Sequence, residues 1–190
     1  MKKDFQPVNP MSAIKSMNMK IFACVCLVLL FNVVNAQQVD YDKKLKDLGI
    51  QLMEPTKPMA NYVKAVRTGN LIFLAGHGPT LPDGSNITGK VGRDLTLEQG
   101  YNAAKQTAIS LLSTLKAEIG DFNKVKRVVK VLGMVNCHSD FTDQPKVING
   151  CSDLLVAVFG DKGKHARSAV GMNSLPSNIA VEIEIIVEVE

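Results

Sequence analysis

His165-Ala166-Arg167-Ser168-Ala169-Val170-Gly171 runs through Leu175-Pro176 into Ala180-Val181-Glu182-Ile183-Glu184-Ile185-Ile186-Val187-Glu188-Val189-Glu190. The second part alternates apolar and acidic residues with period two, the mark of a strand with one buried face. Val181, Ile183, Ile185, Val187 and Val189 share one side, and Glu182, Glu184, Ile186, Glu188 and Glu190 share the other. β-Branched residues dominate the first set, as a half-buried pleated surface favours. Upstream, Arg167 stands among the small residues Ala166, Ser168, Ala169 and Gly171. A guanidinium with little bulk around it can present its fork to a planar anion. The alternative is a surface arginine on a strand edge.

Working outward, Thr96-Leu97-Glu98-Gln99 has the capping-box pattern and opens the clearest helix. Leu97, Tyr101, Ala104, Ala108, Leu111, Leu112, Leu115 and Ile119 make its apolar stripe, and Gly120 is its stop. Lys124–Val135 reads as a buried strand. Pro145 starts a second helix with Ile148, Cys151, Leu154, Leu155, Val158 and Phe159 inward, stopped by Gly160. Asn61–Arg67 alternates like a strand, Thr68-Gly69-Asn70 turns, and Leu71–Ala75 suits a buried return strand. Gly76-His77-Gly78-Pro79 cannot continue a regular strand, and backbone can approach a ligand closely there. From Gln37 to Glu54, Tyr41, Leu45, Leu48 and Leu52 fall at helical spacing, with Pro55 and Pro58 as the stop. The order predicts one α+β domain, a sheet with two main helices on one face.

The N-terminus reads as a secretory signal peptide over residues 1–36. Lys2, Lys3, Lys15 and Lys20 precede an apolar run, Ile21 to Val34, that ends at Val34-Asn35-Ala36. At 14 residues the run is too short to span a bilayer as a helix. An exported protein, periplasmic or secreted and without a stable membrane anchor after cleavage, is expected. The leader holds four lysines and one aspartate, so the net charge of +4 falls to about +1. A strongly basic nucleic-acid surface is thereby excluded. The expected division is a signal peptide at 1–36, an N-terminal helical extension at 37–60 and a domain at 61–190. Cys137 and Cys151 remain after cleavage, in a compartment that permits disulfides, and read as free buried thiols.

Several constellations carry no chemistry. Gly89-Lys90-Val91-Gly92 lacks the rest of a phosphate loop. His138-Ser139-Asp140 reads as a turn, since a triad is assembled in space rather than in sequence. His77, His138 and His165 have no helical pair or Cys-x-x-Cys partner, so no metal is expected. Arg167 remains, with a carboxylate that the following strand returns to the same region.

On these residues the chain resembles the reactive-intermediate deaminases, the RidA-like or YjgF-like family often labelled endoribonuclease L-PSP. Ala166-Arg167-Ser168-Ala169-Val170, Leu175-Pro176 and Val181-Glu182-Ile183-Glu184 resemble its C-terminal signature. Asn61–Val66 and Leu74-Ala75-Gly76-His77-Gly78-Pro79 are similar to its N-terminal motifs, and Val147-Ile148-Asn149-Gly150 to its second-helix motif. The resemblance implies a chorismate-mutase-like fold assembled as a homotrimer, with ligand sites in clefts between subunits. It implies hydrolysis of enamine and 2-imino acid intermediates to 2-oxo acids and ammonia, without a cofactor. Arg167 would clamp the substrate carboxylate and Glu182 would hold or activate water. Tyr62, Gly76 and Asn149 would line the pocket. Ala75 stands where many active members have serine, and Ala169 where they often have cysteine. A small-carboxylate binding protein without turnover is the alternative, and an endoribonuclease, suggested by the family label, fits the near-neutral charge poorly.

Overall fold

The computed structural model describes residues 38–55 and 61–190. The signal peptide expected at 1–36 lies outside the described residues. Asp40 to Glu190 makes one compact unit, and the other, Met1–Val39, lies almost wholly outside them. Among the described residues no helix is long and apolar enough to cross a membrane.

Five strands form one sheet: β1 (Ala65–Thr68), β2 (Leu71–His77), β3 (Val125–Asn136), β4 (Ala166–Met172) and β5 (Val181–Val189). Their order is β1-β2-β5-β3-β4, with β3 and β4 parallel and the other pairs antiparallel. α1 (Tyr41–Asp47), α2 (Leu97–Ile119) and α3 (Gln144–Phe159) are the helices. This is the expected α+β architecture. β5 sits at the centre with the expected alternation: Val181, Ile183, Ile185, Val187 and Val189 are buried. Its other side joins an open face that exposes Val66, Phe73 and Val170.

α2 carries the capping box in full. Gln99 N donates to Thr96 Oγ1 at 3.2 Å, and Thr96 N donates to Gln99 Oε1 at 2.8 Å. Such a cap is worth about 1 kcal/mol. The buried seam differs from the expected stripe in the first turns. Leu97 is exposed and Tyr101 half-buried, its hydroxyl donating to Asp153 at 3.0 Å. Gly100 is buried instead, because its bare backbone lets Val91 and Val147 close against the helix. α3 buries all six residues expected to face inward. Cys137 and Cys151 are both free and buried.

The N-terminal helix is shorter than expected. It ends at Asp47, and Leu48 and Leu52 do not continue it. Gly49 adopts a left-handed φ of 68°. Gly49 N donates to Lys46 O and Ile50 N to Leu45 O, the paired bonds of a Schellman stop. Ile50 is therefore buried beside Leu45, while Leu48 is exposed. Tyr41 anchors the helix in an aromatic cluster, with ring centroids 5.8 Å from Phe122 and 5.7 Å from Phe159.

β1 is also shorter than expected, because Tyr62 and Val63 are exposed and only Ala65–Thr68 is strand. β2 runs on through Gly76 to His77, but irregularly: Leu74 pairs with Ile185 and His77 with Ile183. Ala75 and Gly76 together oppose Glu184 alone, a β-bulge. His77 is thereby turned to the helix side and buried, where Nε2 meets Thr114 Oγ1 of α2 at 2.8 Å.

Candidate functional site

The sequence-predicted site residues fall into two groups within one chain. The first lines a cleft of about 630 Å³. Glu182, the second residue of β5, points from the open face of the sheet into it, with Gly76 of the bulge and Tyr62 among the lining residues. The bare backbone of Gly76 leaves room for the Glu182 carboxylate, and a methyl group there would displace Oε1. Ala75 is half-buried beside this contact, its N–H donating to Lys64 O at 2.9 Å. Burial raises the Glu182 carboxyl above its usual range, and the nearby Glu184 charge adds to the effect. A half-buried carboxylate with raised affinity for protons is better placed than an exposed one to exchange a proton with water.

The second group lies on the helix side of β4. Arg167 Nη1 donates to Asn149 Oδ1 at 2.8 Å and to Ser152 Oγ at 3.0 Å, both on α3. Among the described residues its Nε and Nη2 have no hydrogen-bond partner, and no carboxylate pairs with it. Ala169, two residues on and on the same side, is half-buried and packs against the core.

The chain itself does not bring Arg167 and Glu182 together. Arg167 pairs with Val131 and Glu182 with Met134, on opposite sides of the intervening β3. That separates them by about 10 Å across the sheet and about 10 Å along it. The three-residue offset along β3 also turns their side chains to opposite faces. The expectation that β5 returns a carboxylate to the region of Arg167 is therefore corrected for one chain.

Sequence reasoning missed Ser152 and His165. Ser152 Oγ meets His165 Nε2 at 3.0 Å, and His165 Nδ1 meets Gly163 O at 2.6 Å. The available signal was Ser152 at i+3 from Asn149, on the same helix face. The discarded motifs are structural. Lys90 donates to Asn136 Oδ1 at 2.9 Å and to the Asn173 carbonyl, and His138 and Asp140 interact within an exposed turn. Among the described residues no group of His, Cys, Asp or Glu could hold a metal ion.

A mixed sheet covered on one face by two long helices is the architecture of the YjgF/chorismate-mutase-like class. Residues 42–189 match the model of the family described as "YjgF/chorismate_mutase-like, putative endoribonuclease", and the chain belongs to this YjgF/RidA-like family. It is 42% identical over 145 residues to Protein TCP17 of Trypanosoma cruzi, covering 76% of this chain and 91% of that protein. It is 30% identical over 135 residues to the 2-iminobutanoate/2-iminopropanoate deaminase of Dermatophagoides farinae, covering 70% and 90%. The crystal structure of Atu1372, a protein of unknown function from Agrobacterium tumefaciens, superposes with a TM-score of 0.74 at 41% identity, covering 79% and 92%.

Proposed function

We propose that the protein binds small 2-imino and 2-oxo carboxylates and hydrolyses the imines, in clefts between the subunits of a homotrimer. The observation that carries this reading is Arg167: a half-buried guanidinium held only by neutral oxygens, with its Nε/Nη2 edge unpaired among the described residues. A charge taken partly out of water calls for a partner, and this edge matches the two oxygens of a carboxylate. In the reaction, water adds to the imine carbon and the carbon–nitrogen bond then breaks, giving a 2-oxo acid and ammonia. Glu182 takes one proton from the attacking water and passes it to the imine nitrogen, then takes the hydroxyl proton of the adduct and passes it to the same nitrogen as ammonia leaves and the carbonyl forms. Its raised proton affinity supports both halves of that task. Arg167 fixes the carboxylate, so the imine carbon is presented to a held water. The likeness to a 2-iminobutanoate/2-iminopropanoate deaminase supports the substrate class.

Because one chain separates Arg167 from Glu182, the working site pairs Arg167 with Glu182 of the partner subunit. Apolar side chains on the open sheet face support such an assembly. The test follows from this geometry. Arg167→Ala and Glu182→Gln chains, each inactive alone, are mixed in urea and refolded together. In a random trimer about a quarter of the sites regain both wild-type groups, so about a quarter of the imine-hydrolysis rate should return. No recovery, with each variant assembled and folded, would refute a site shared between chains. Turnover by Arg167→Ala equal to wild type would remove the site assignment altogether.

The same separation favours a second reading, a carboxylate-binding protein without turnover. Wild-type protein that binds a 2-oxo acid and leaves imine decay unchanged would establish it.

A further inference from the structure

The hydrogen bonds around Arg167 allow one assignment of protons. The Gly163 carbonyl can only accept, so His165 Nδ1 carries the hydrogen across their 2.6 Å contact. Burial, reinforced by the Arg167 charge, lowers the proton affinity of His165 and favours the neutral ring, although the Gly163 contact works in the other direction. In a neutral ring Nε2 is then an acceptor, and Ser152 must donate to it at 3.0 Å. With its single hydrogen so directed, Ser152 Oγ turns lone pairs toward Arg167 Nη1 at 3.0 Å. Asn149 Oδ1 takes a further hydrogen of Nη1 at 2.8 Å. Both Nη1 hydrogens are thus engaged, and the guanidinium plane is fixed by two points on one turn of α3.

From this relay we infer that Ser152 and His165 are positioning residues for Arg167. His165 sets the direction of the Ser152 hydroxyl, and Ser152 stops the guanidinium from turning about its Nε–Cζ bond. The Nε/Nη2 edge is left pre-aimed at a planar carboxylate. The inference rests on the proposed function for its ligand, but the relay can be read without one. Neither residue touches the reacting atoms, so their loss acts on binding. Restricting a rotor before the ligand arrives lowers the ordering cost of binding.

The experiment uses the full chain as it assembles, with 2-oxobutanoate as probe. In ligand-free protein, nitrogen NMR should show His165 protonated at Nδ1 and the Arg167 Nη groups rotating slowly. In Ser152→Ala the His165 Nε2 signal should move and Arg167 rotation should quicken. Loss of one such hydrogen bond should weaken 2-oxobutanoate binding about fivefold and raise KM about as much, with kcat held within about twofold. Ser152→Thr keeps the hydroxyl, and His165→Gln keeps an acceptor in place of Nε2, so both should bind within about twofold of wild type. His165→Ala should resemble Ser152→Ala. An Nε2-protonated ring, unchanged binding in Ser152→Ala, or equal losses in His165→Ala and His165→Gln would each overturn the inference. Wild type that fails to bind 2-oxobutanoate overturns the proposed function instead. The ligand-free arms then decide: rotation quickened by Ser152→Ala upholds the relay, and unchanged rotation overturns it.

Discussion

Replacing Gly150 with alanine tests whether the contact between α2 and α3 sets the position of Asn149 and Ser152 beside Arg167. A methyl group at Gly150 would run into the Tyr101 carbonyl oxygen and lie 3.0 Å from Lys105 N. Both obstacles are backbone atoms of α2, so no side chain can swing aside to admit it. Overpacking of this kind costs up to about 3 kcal/mol. Alanine recovers about 1 kcal/mol of helix propensity over glycine, which leaves a net loss of about 2 kcal/mol. For a domain of this size that corresponds to a fall of about 6 °C in Tm. Calorimetry at one fixed protein concentration measures it, and urea unfolding gives an independent value. Since Asn149 and Ser152 flank the substitution, binding of a 2-oxo acid should fall as well. A Tm equal to or above that of wild type would refute the reasoning, because helix propensity would then outweigh the packing of α3 on α2.

Three further outcomes are expected. Tyr41→Ala should destabilise the fold by about 3–5 kcal/mol in urea unfolding, and Tyr41→Phe much less, since the ring is what packs on Phe122 and Phe159. Burial pushes the Cys151 thiol up to about 12, so a thiol reagent at pH 8 should label it only when denaturant is added, as mass spectrometry of the labelled protein would record. Gly76→Ala should displace the Glu182 carboxylate and cut imine hydrolysis on the order of tenfold, with 2-oxo acid binding at Arg167 retained in calorimetry.

β5 was legible because period-two alternation is written into its own residues, and each odd-numbered position from Val181 to Val189 is buried as that pattern required. α2 and α3 were legible for the same reason, through caps and stripes that act within a few turns. What joins distant segments was not. No local signal declares that β4 lies parallel to β3 at the edge, and the parity that sends Arg167 and Glu182 to opposite faces emerges only from that register. At the N-terminus Pro55 drew the helix boundary too far, while Gly49, the actual stop, works through a backbone conformation that sequence periodicity does not display. Ser152 carries no local signal of its own between the inward-facing Cys151 and Leu154. Its role depends on His165, which arrives from beyond the end of α3.

The bulge in β2 shifts the phase of the chain. Before it Ile72 and Leu74, at even positions, face the helices; after it His77, at an odd position, does so. The two residues of the bulge take the place of one. Straightening β2 at its present length would restore plain alternation, bring Gly76 to the helix side and send the imidazole of His77 out to the open face, leaving Thr114 without its partner. Shortening has the opposite outcome: with Ala75 deleted, Gly76 alone would oppose Glu184 and His77 would still reach the helices. A relative one residue shorter here should therefore keep its histidine buried and lose only the bulge.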